Sequence, residues 1–235
     1  MAALVPDLPK VEQHIVEMTN QVRSEKNLST LKVNAMLAKA ARSYAQRLAR
    51  TGQFSHTADG RNPGQRAKSA GYEFCTIAEN LAMDSAKRGF DTGQLALQAI
   101  AGWMNSPPHR ANILMASATE IGVGVARAPG ATPKFISVEM FGRPATSTIR
   151  FDVVNLSAAD VTYAFEGKTR DLKPRLSIVQ STCTPGEISF SKPGGFFSAA
   201  TEIARMPARD GVRYTLKSGA NGTVTVDIGP RAKPK

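Results

Sequence analysis

The chain has 235 residues, 42% hydrophobic and 21% charged, with a net charge of +11 at pH 7. That length leaves room for one large domain or two small ones, and no apolar run approaches the ~20 residues that would cross a bilayer as a helix. The basic excess is spread along the chain and favours anionic partners, but only 6% of residues are aromatic and no nucleic-acid-binding motif is present, so base stacking is not suggested.

The opening residues 1–5 are too short for a signal-peptide core, and Pro6 and Asp7 follow them. Residues 10–28 predict an amphipathic helix, with Val11, Ile15, Met18 and Val22 at helical spacing. His14 lies one turn from Val11 and Met18 and reads as an ordinary helix-side histidine. A second helix is predicted over 34–51. Asn34 is its N-cap, Leu37, Ala41, Tyr44, Ala45 and Leu48 form its inner face, and Gly52 stops it. Residues 52–76 are turn-rich, with a short helix over 64–70. A further amphipathic helix covers 91–105 and uses Leu95, Ala99, Ile100 and Trp103, the last read as core. Ser106 is then placed to cap a short helix running to about Leu114, with Pro107 at its first position.

From there the period changes to two. Ile121, Val123 and Val125 alternate with Gly122, Gly124 and Ala126, and residues 135–141 predict an antiparallel partner strand. Gly142-Arg143-Pro144 reads as a domain end. Short strands are predicted over 148–155, 160–165, 175–180, 186–190, 211–217 and 223–228. Residues 198–206 suit either a short helix or a bulged strand. Asn221-Gly222 is the strongest hairpin signal in the chain. This pattern predicts a small β-sandwich of about 85 residues, with a frayed tail over 230–235. The boundary is set at 1–145 and 146–235. The two cysteines, Cys75 and Cys183, fit one disulfide in an oxidising compartment or two separate buried thiols.

Candidate chemistry gathers around two of the three histidines. His56 lies in a loop ahead of Asp59-Gly60, and His109 at the third position of the short helix. The positive end of that helix disfavours imidazolium and favours the neutral ring a metal requires. Two imidazoles and the carboxylate of Glu79 could hold zinc or another divalent ion, form an acid–base site, or simply line a hydrogen-bonded cleft. Glu79 could ligate directly, orient a histidine, or act on a bound water. Ser106 is three residues from His109, but its hydroxyl is expected to cap the helix rather than serve as a nucleophile. Arg110 and Asn112 are expected to fix the surrounding loop.

Several motifs occur in a recognisable order. They are Asn20-x-x-Arg23, Leu31-x-x-Asn34-x-x-Leu37-x-x-Ala40, Phe54-Ser55-His56, Gly71-Tyr72, Ala78-Glu79-Asn80-Leu81, Trp103-x-x-Ser106-x-x-His109-Arg110-x-Asn112-Ile113-Leu114, Glu120-Ile121-Gly122-Val123-Gly124 and Phe141-Gly142. Residues 10–144 thereby resemble the CAP superfamily of cysteine-rich secretory proteins, antigen 5 and pathogenesis-related-one proteins, in its bacterial form. The resemblance implies an α+β fold, a three-layer α/β/α sandwich around an antiparallel sheet, here followed by the small all-β domain. It also implies a cleft lined by two histidines and two acids. His56, His109 and Glu79 match three of these, while Ser106 stands where the second acid is expected. Glu139 replaces the usual glutamine of the last strand.

Members of that superfamily bind divalent metals, sterols or fatty acids, and protease activity has been claimed for a few, so the fold alone does not set a function. The expectation is a secreted or periplasmic protein, its export signal outside this sequence, binding a small ligand, a divalent metal or a cell-envelope component. A small lipid or an anionic envelope polymer is the partner expected. The alternatives are a metal-assisted hydrolase of peptide, phosphoester or cell-wall bonds with Glu79 as base, and a structural or adhesion module with a vestigial cleft.

Overall fold

The computed structural model describes residues 4–195 and 199–231. The chain divides into two compact units, Met1–Ser147 and Thr148–Lys235.

The first unit opens with α1 (Leu8–Glu25), capped by the Asp7 carboxylate on the Lys10 amide. Its buried stripe is Val11, Ile15, Thr19 and Arg23, so the apolar face turns polar halfway along. The expected Met18 and Val22 are only partly buried beside it. After β1 (Lys32–Val33), Asn34 caps α2 (Ala35–Thr51) through the amides of Met36 and Leu37, and Gly52 ends it in the left-handed conformation at φ 71°. α3 (Pro63–Ser69) starts in a capping box between Asn62 and Gln65. β2 (Phe74–Ser85) follows, a strand for which the sequence carries no clear alternation. Then come α4 (Thr92–Asn105), α5 (Pro107–Ile113), β3 (Glu120–Ala128) and β4 (Lys134–Pro144).

The sheet order is β1-β3-β4-β2. Its long strands pair antiparallel and the short β1 pairs parallel with β3. Strand alternation sends Ile121, Val123, Val125, Phe135 and Phe141 to a core shared with α1, α4 and α5. Leu81, Ile136, Val138 and Met140 go to the opposite core, shared with α2 and α3. Gly122 and Gly124 lie directly under α2. A Cβ on either would come within 2.2 Å or 2.1 Å of the helix backbone at Ala38 and Arg42. These layers are the expected α/β/α sandwich.

The second unit is all β. β5 (Ile149–Asn155), β8 (Ser177–Thr182), β11 (Val212–Ser218) and β12 (Val224–Pro230) form one sheet, in order β12-β11-β5-β8. β6 (Val161–Phe165), β7 (Lys168–Leu172), β9 (Glu187–Lys192) and β10 (Thr201–Pro207) form the other, in order β10-β9-β6-β7. One core joins Phe151, Val153, Tyr214 and Leu216 of the first sheet to Tyr163, Phe165, Ile188 and Phe190 of the second. The segment left open between helix and strand is strand β10, with a register shift between Glu202 and Ala204; Ser198 lies outside the described residues. β7 is a strand the sequence reading omits. It is short and charged, with Leu172 as its buried residue. Asn221 and Gly222 take φ 55° and 73°, the paired positive values that a tight hairpin between β11 and β12 requires. Neither cysteine is free; both Cys75 and Cys183 are disulfide-bonded. The tail beyond Arg231 lies outside the described residues.

Candidate functional site

β2 is an edge strand, so elements from both helical layers can meet beside it. Its neighbours Glu79 and Asn80 point to opposite faces. Glu79 faces the α2–α3 side, where its side chain is 1% exposed. Arg66, from α3, donates through Nη2 to both Glu79 oxygens, at 2.8 Å to Oε1 and 2.7 Å to Oε2. The same guanidinium donates to the His56 carbonyl at 3.0 Å and, through Nη1, to Asp59 Oδ1 at 3.0 Å and the Arg61 carbonyl at 2.7 Å. It also stacks 3.5 Å above the Tyr44 ring. The Tyr44 hydroxyl donates to the Ser55 carbonyl and accepts from the Ala58 amide at 3.0 Å. Arg66 and Tyr44 therefore clamp the turn that carries His56. Burial pushes the Asp59 carboxyl up, but the Arg61 amide and the Arg66 and Arg61 guanidiniums outweigh it and hold it below its usual value.

The His56 side chain is half exposed, and its Nδ1 lies 2.9 Å from Glu79 Oε1. A carboxylate can only accept, so Nδ1 carries the proton in the neutral ring and Nε2 keeps its lone pair. Glu79 thus orients His56 as a second-layer partner, one of the three roles open to it in the sequence.

Asn80 faces the other way. Its Nδ2 donates to the His109 carbonyl at 3.1 Å and to Glu139 Oε2 at 3.2 Å. Asn112 donates to Asn80 Oδ1 at 2.9 Å and to the Glu79 carbonyl at 3.3 Å, tying α5 to β2. Burial, and then the neighbouring His56 charge, lower the His109 pKa below its usual value. The His56 charge is thus felt at the His109 ring. Burial is the chief cause of that lowering, and the helix terminus is not among its causes.

Glu139 does not line the cleft. It is wholly buried behind Asn80, accepts from the Thr19 hydroxyl at 2.6 Å, and interacts with Arg23. Burial pushes its pKa up to about 7, against the pull of Thr19, Asn80 and Arg23. Arg23 itself donates to the carbonyls of Ser29, Ile113 and Met115 and so anchors the end of α5.

Ser106 corrects an expectation. It occupies the cap position, but its hydroxyl makes no capping hydrogen bond. Pro108, at the second helical position, has no N–H to offer, which removes one of the two amides a cap would bind. Arg110 is exposed and donates to the Met104 carbonyl at 3.5 Å. Trp103 is core, as expected. Among the described residues, no group of three or more His, Cys, Asp and Glu side chains is arranged to hold a metal ion. Arg66 and Tyr44 are the site residues that sequence reasoning missed in this role. The one local signal for Arg66 is the Asn62–Gln65 capping pattern, which fixes where α3 begins and hence which side chains turn inward.

A sequence model of the cysteine-rich secretory protein (CAP) family matches residues 16–140. The chain belongs to the CAP family. It is 34% identical over 114 residues to the uncharacterised protein YkwD of Bacillus subtilis, covering 48% of this chain and 41% of that relative. Among solved structures, it is similar to an extracellular SCP-domain protein of Bacillus anthracis at 26% identity and TM-score 0.49, over 61% of this chain and 45% of that one. It is also similar to an outer surface protein of Borrelia burgdorferi at 24% identity and TM-score 0.49, over 57% and 93%. The CAP match ends before the β unit.

Proposed function

We propose that this is an exported CAP-domain protein that holds a divalent metal ion between His56 and His109, and that it works by binding rather than turnover. The observation that carries this reading is the Arg66–Glu79–His56 chain. A buried arginine fixes a buried carboxylate, which fixes a half-exposed imidazole beside a second imidazole kept toward neutrality. The donor set fits a borderline ion such as zinc, with further positions left to water or a ligand. Both Glu79 oxygens are taken by Arg66, so Glu79 is poorly placed as the free base the hydrolase alternative needs. Export is supported by the disulfide-bonded state of both cysteines. A small lipid or an envelope polymer remains the partner expected of the wider cleft.

The test is zinc titration by calorimetry on chelator-treated protein. Micromolar or tighter binding is expected at pH 7.5, at least about ten-fold weaker at pH 5.5 as protons compete for the imidazoles. His56→Ala with His109→Ala should abolish it. No binding by the wild type would sink the metal reading.

A further inference from the structure

A second cavity, of about 180 Å³, opens between α2 and the α3 side of the CAP unit. Neither histidine lines it. α2 contributes Lys39, Ser43 and Arg47, four residues apart and so stacked on one helix face. Arg61, Arg66 and Ser69 close the other wall.

Its charge is unbalanced. Asp59 is the one carboxylate in the lining, and its two oxygens are already held by Arg61 and Arg66. Arg66 is further matched by Glu79. Lys39 and Arg47 have no ion-pair partner among the described residues. Like charges facing one concavity repel, and the repulsion is relieved by an anion seated among them.

The hydrogen bonding is unbalanced in the same sense. Arg66 commits Nη1 and Nη2 to protein acceptors, yet its Nε is buried without one, and so is that of Arg47. Two guanidinium N–H groups behind the walls of one cavity thus lack a protein acceptor, which leaves both cations less neutralised than their neighbours. The arginine at the centre is rigid, since it lies flat on Tyr44 and is tied at four other points. The site is thus organised before anything binds.

We propose that this cavity binds a phosphate group, as a monoester or diester oxyanion. Donors decide between phosphate and carboxylate. Lys39, Arg47 and Ser43 face the space with donors that no protein side chain engages among the described residues, backed by the charges of Arg61 and Arg66; that is more than the two oxygens of a carboxylate can engage and is well matched to a tetrahedral oxyanion. This goes beyond the metal reading and uses neither imidazole.

The experiment titrates the full chain, in low salt at pH 7.5, with inorganic phosphate and with a glycerol-phosphate oligomer. Co-sedimentation with phosphatidylglycerol vesicles is a third arm. Saturable binding at one site per chain is expected for phosphate and oligomer. Lys39→Ala with Arg47→Ala should weaken it at least about ten-fold, the effect of losing charge-assisted hydrogen bonds. Lys39 is exposed and Arg47 partly buried on α2; alanine is a good helix former at both, and a thermal melt checks that the fold is kept. His56→Ala with His109→Ala should leave phosphate binding unchanged, even if zinc binding never appears. Vesicle binding alone, lost in the Lys39/Arg47 variant, would assign the phosphate to a lipid headgroup. Absence of saturable binding in all three arms, or binding that the Lys39/Arg47 variant retains in full, would overturn the proposal.

Discussion

The two units bury different things. In the CAP unit Glu12, Arg23, Arg66, Glu79 and Glu139 are all withdrawn from water, whereas in the β unit Asp152 is the one buried charged side chain among the described residues. The β interior is aromatic instead, with Phe151 meeting Phe165 and Tyr214 edge to face. Burying an ion costs several kcal/mol unless a partner and hydrogen bonds offset it. A fold that needs only a core has no reason to bury five. Three of the five lie close to the paired histidines. Arg66 and Glu79 orient His56, and Glu139 stands behind the asparagine that holds His109. The difference between the units therefore marks where the first one is built for something beyond stability.

The hardest way to break that comparison is to remove one partner of the deepest pair. Arg66→Met leaves Glu79 and Asp59 buried without their shared cation, and is expected to cost about 3–5 kcal/mol in urea unfolding. Adding Glu79→Gln should return part of the loss, which a double-mutant cycle measures. In the β unit, Arg213→Met leaves Asp152 with Arg231 and should cost about 1 kcal/mol or less. Comparable losses in the two units would refute the contrast.

Glu139 offers a subtler break. A carboxyl whose folded pKa is raised holds its proton more tightly in the native state. The stability it contributes is full below its ordinary value of 4.5 and is lost as pH rises through about 7. Wild type should therefore lose roughly 3 kcal/mol between pH 5 and 8 relative to Glu139→Gln, which stays neutral throughout. Asp84, pushed up to about 6 by burial, slopes the same way but is common to both proteins. His109, with its pKa lowered, acts in the opposite sense and is also common. Parallel stability profiles for the two proteins would show that Glu139 is ionised in the folded protein across this range, and would refute the raised pKa.

Much of this was legible in the sequence, and the gaps have physical causes. Helix caps and the Gly-Val-Gly alternation are local signals, so Asn34, Gly52 and β3 could be placed from neighbours alone. His56, Glu79 and His109 stand out because the motifs carrying them are distinctive; the structure joins His56 to Glu79 and ties the His109 backbone to the next residue, Asn80. β2 was missed because both its faces are covered and one of them presents Ala78, Asn80 and Ala82, small or polar, so no apolar–polar alternation marks the strand. The buried half of α1 was misread for a related reason. Thr19 and Arg23 are polar, and only their partners across the fold, Glu139 and the α5 carbonyls, make their burial sensible. Arg66 was hard to see in the same way, since beyond the cap that sets where α3 begins, nothing local separates it from the exposed Lys68 two positions on. Ser106 sits at a cap position without capping, because Pro108 takes away the second-position amide.

Glycine shows the same limit on a smaller scale, and tests how tightly each unit is built. Gly124 and Gly229 both sit in strands and look alike in sequence. A Cβ on Gly124 would lie 2.1 Å from the Arg42 amide nitrogen and 2.4 Å from the Ala41 carbonyl carbon. That contact is with helix backbone, so α2 as a whole would have to lift, and Gly124→Ala is expected to cost about 1–3 kcal/mol. A Cβ on Gly229 meets nothing within 4 Å, so Gly229→Ala should be neutral or gain about 0.4–1 kcal/mol by restricting the unfolded chain. Lifting α2 also moves Tyr44, which sits under Arg66. Gly124→Ala should therefore weaken zinc binding at His56 as well as stability, while Gly229→Ala leaves zinc binding unchanged. A destabilised Gly124→Ala protein that still bound zinc at full affinity would show that the clamp on His56 does not depend on how closely α2 lies on the sheet.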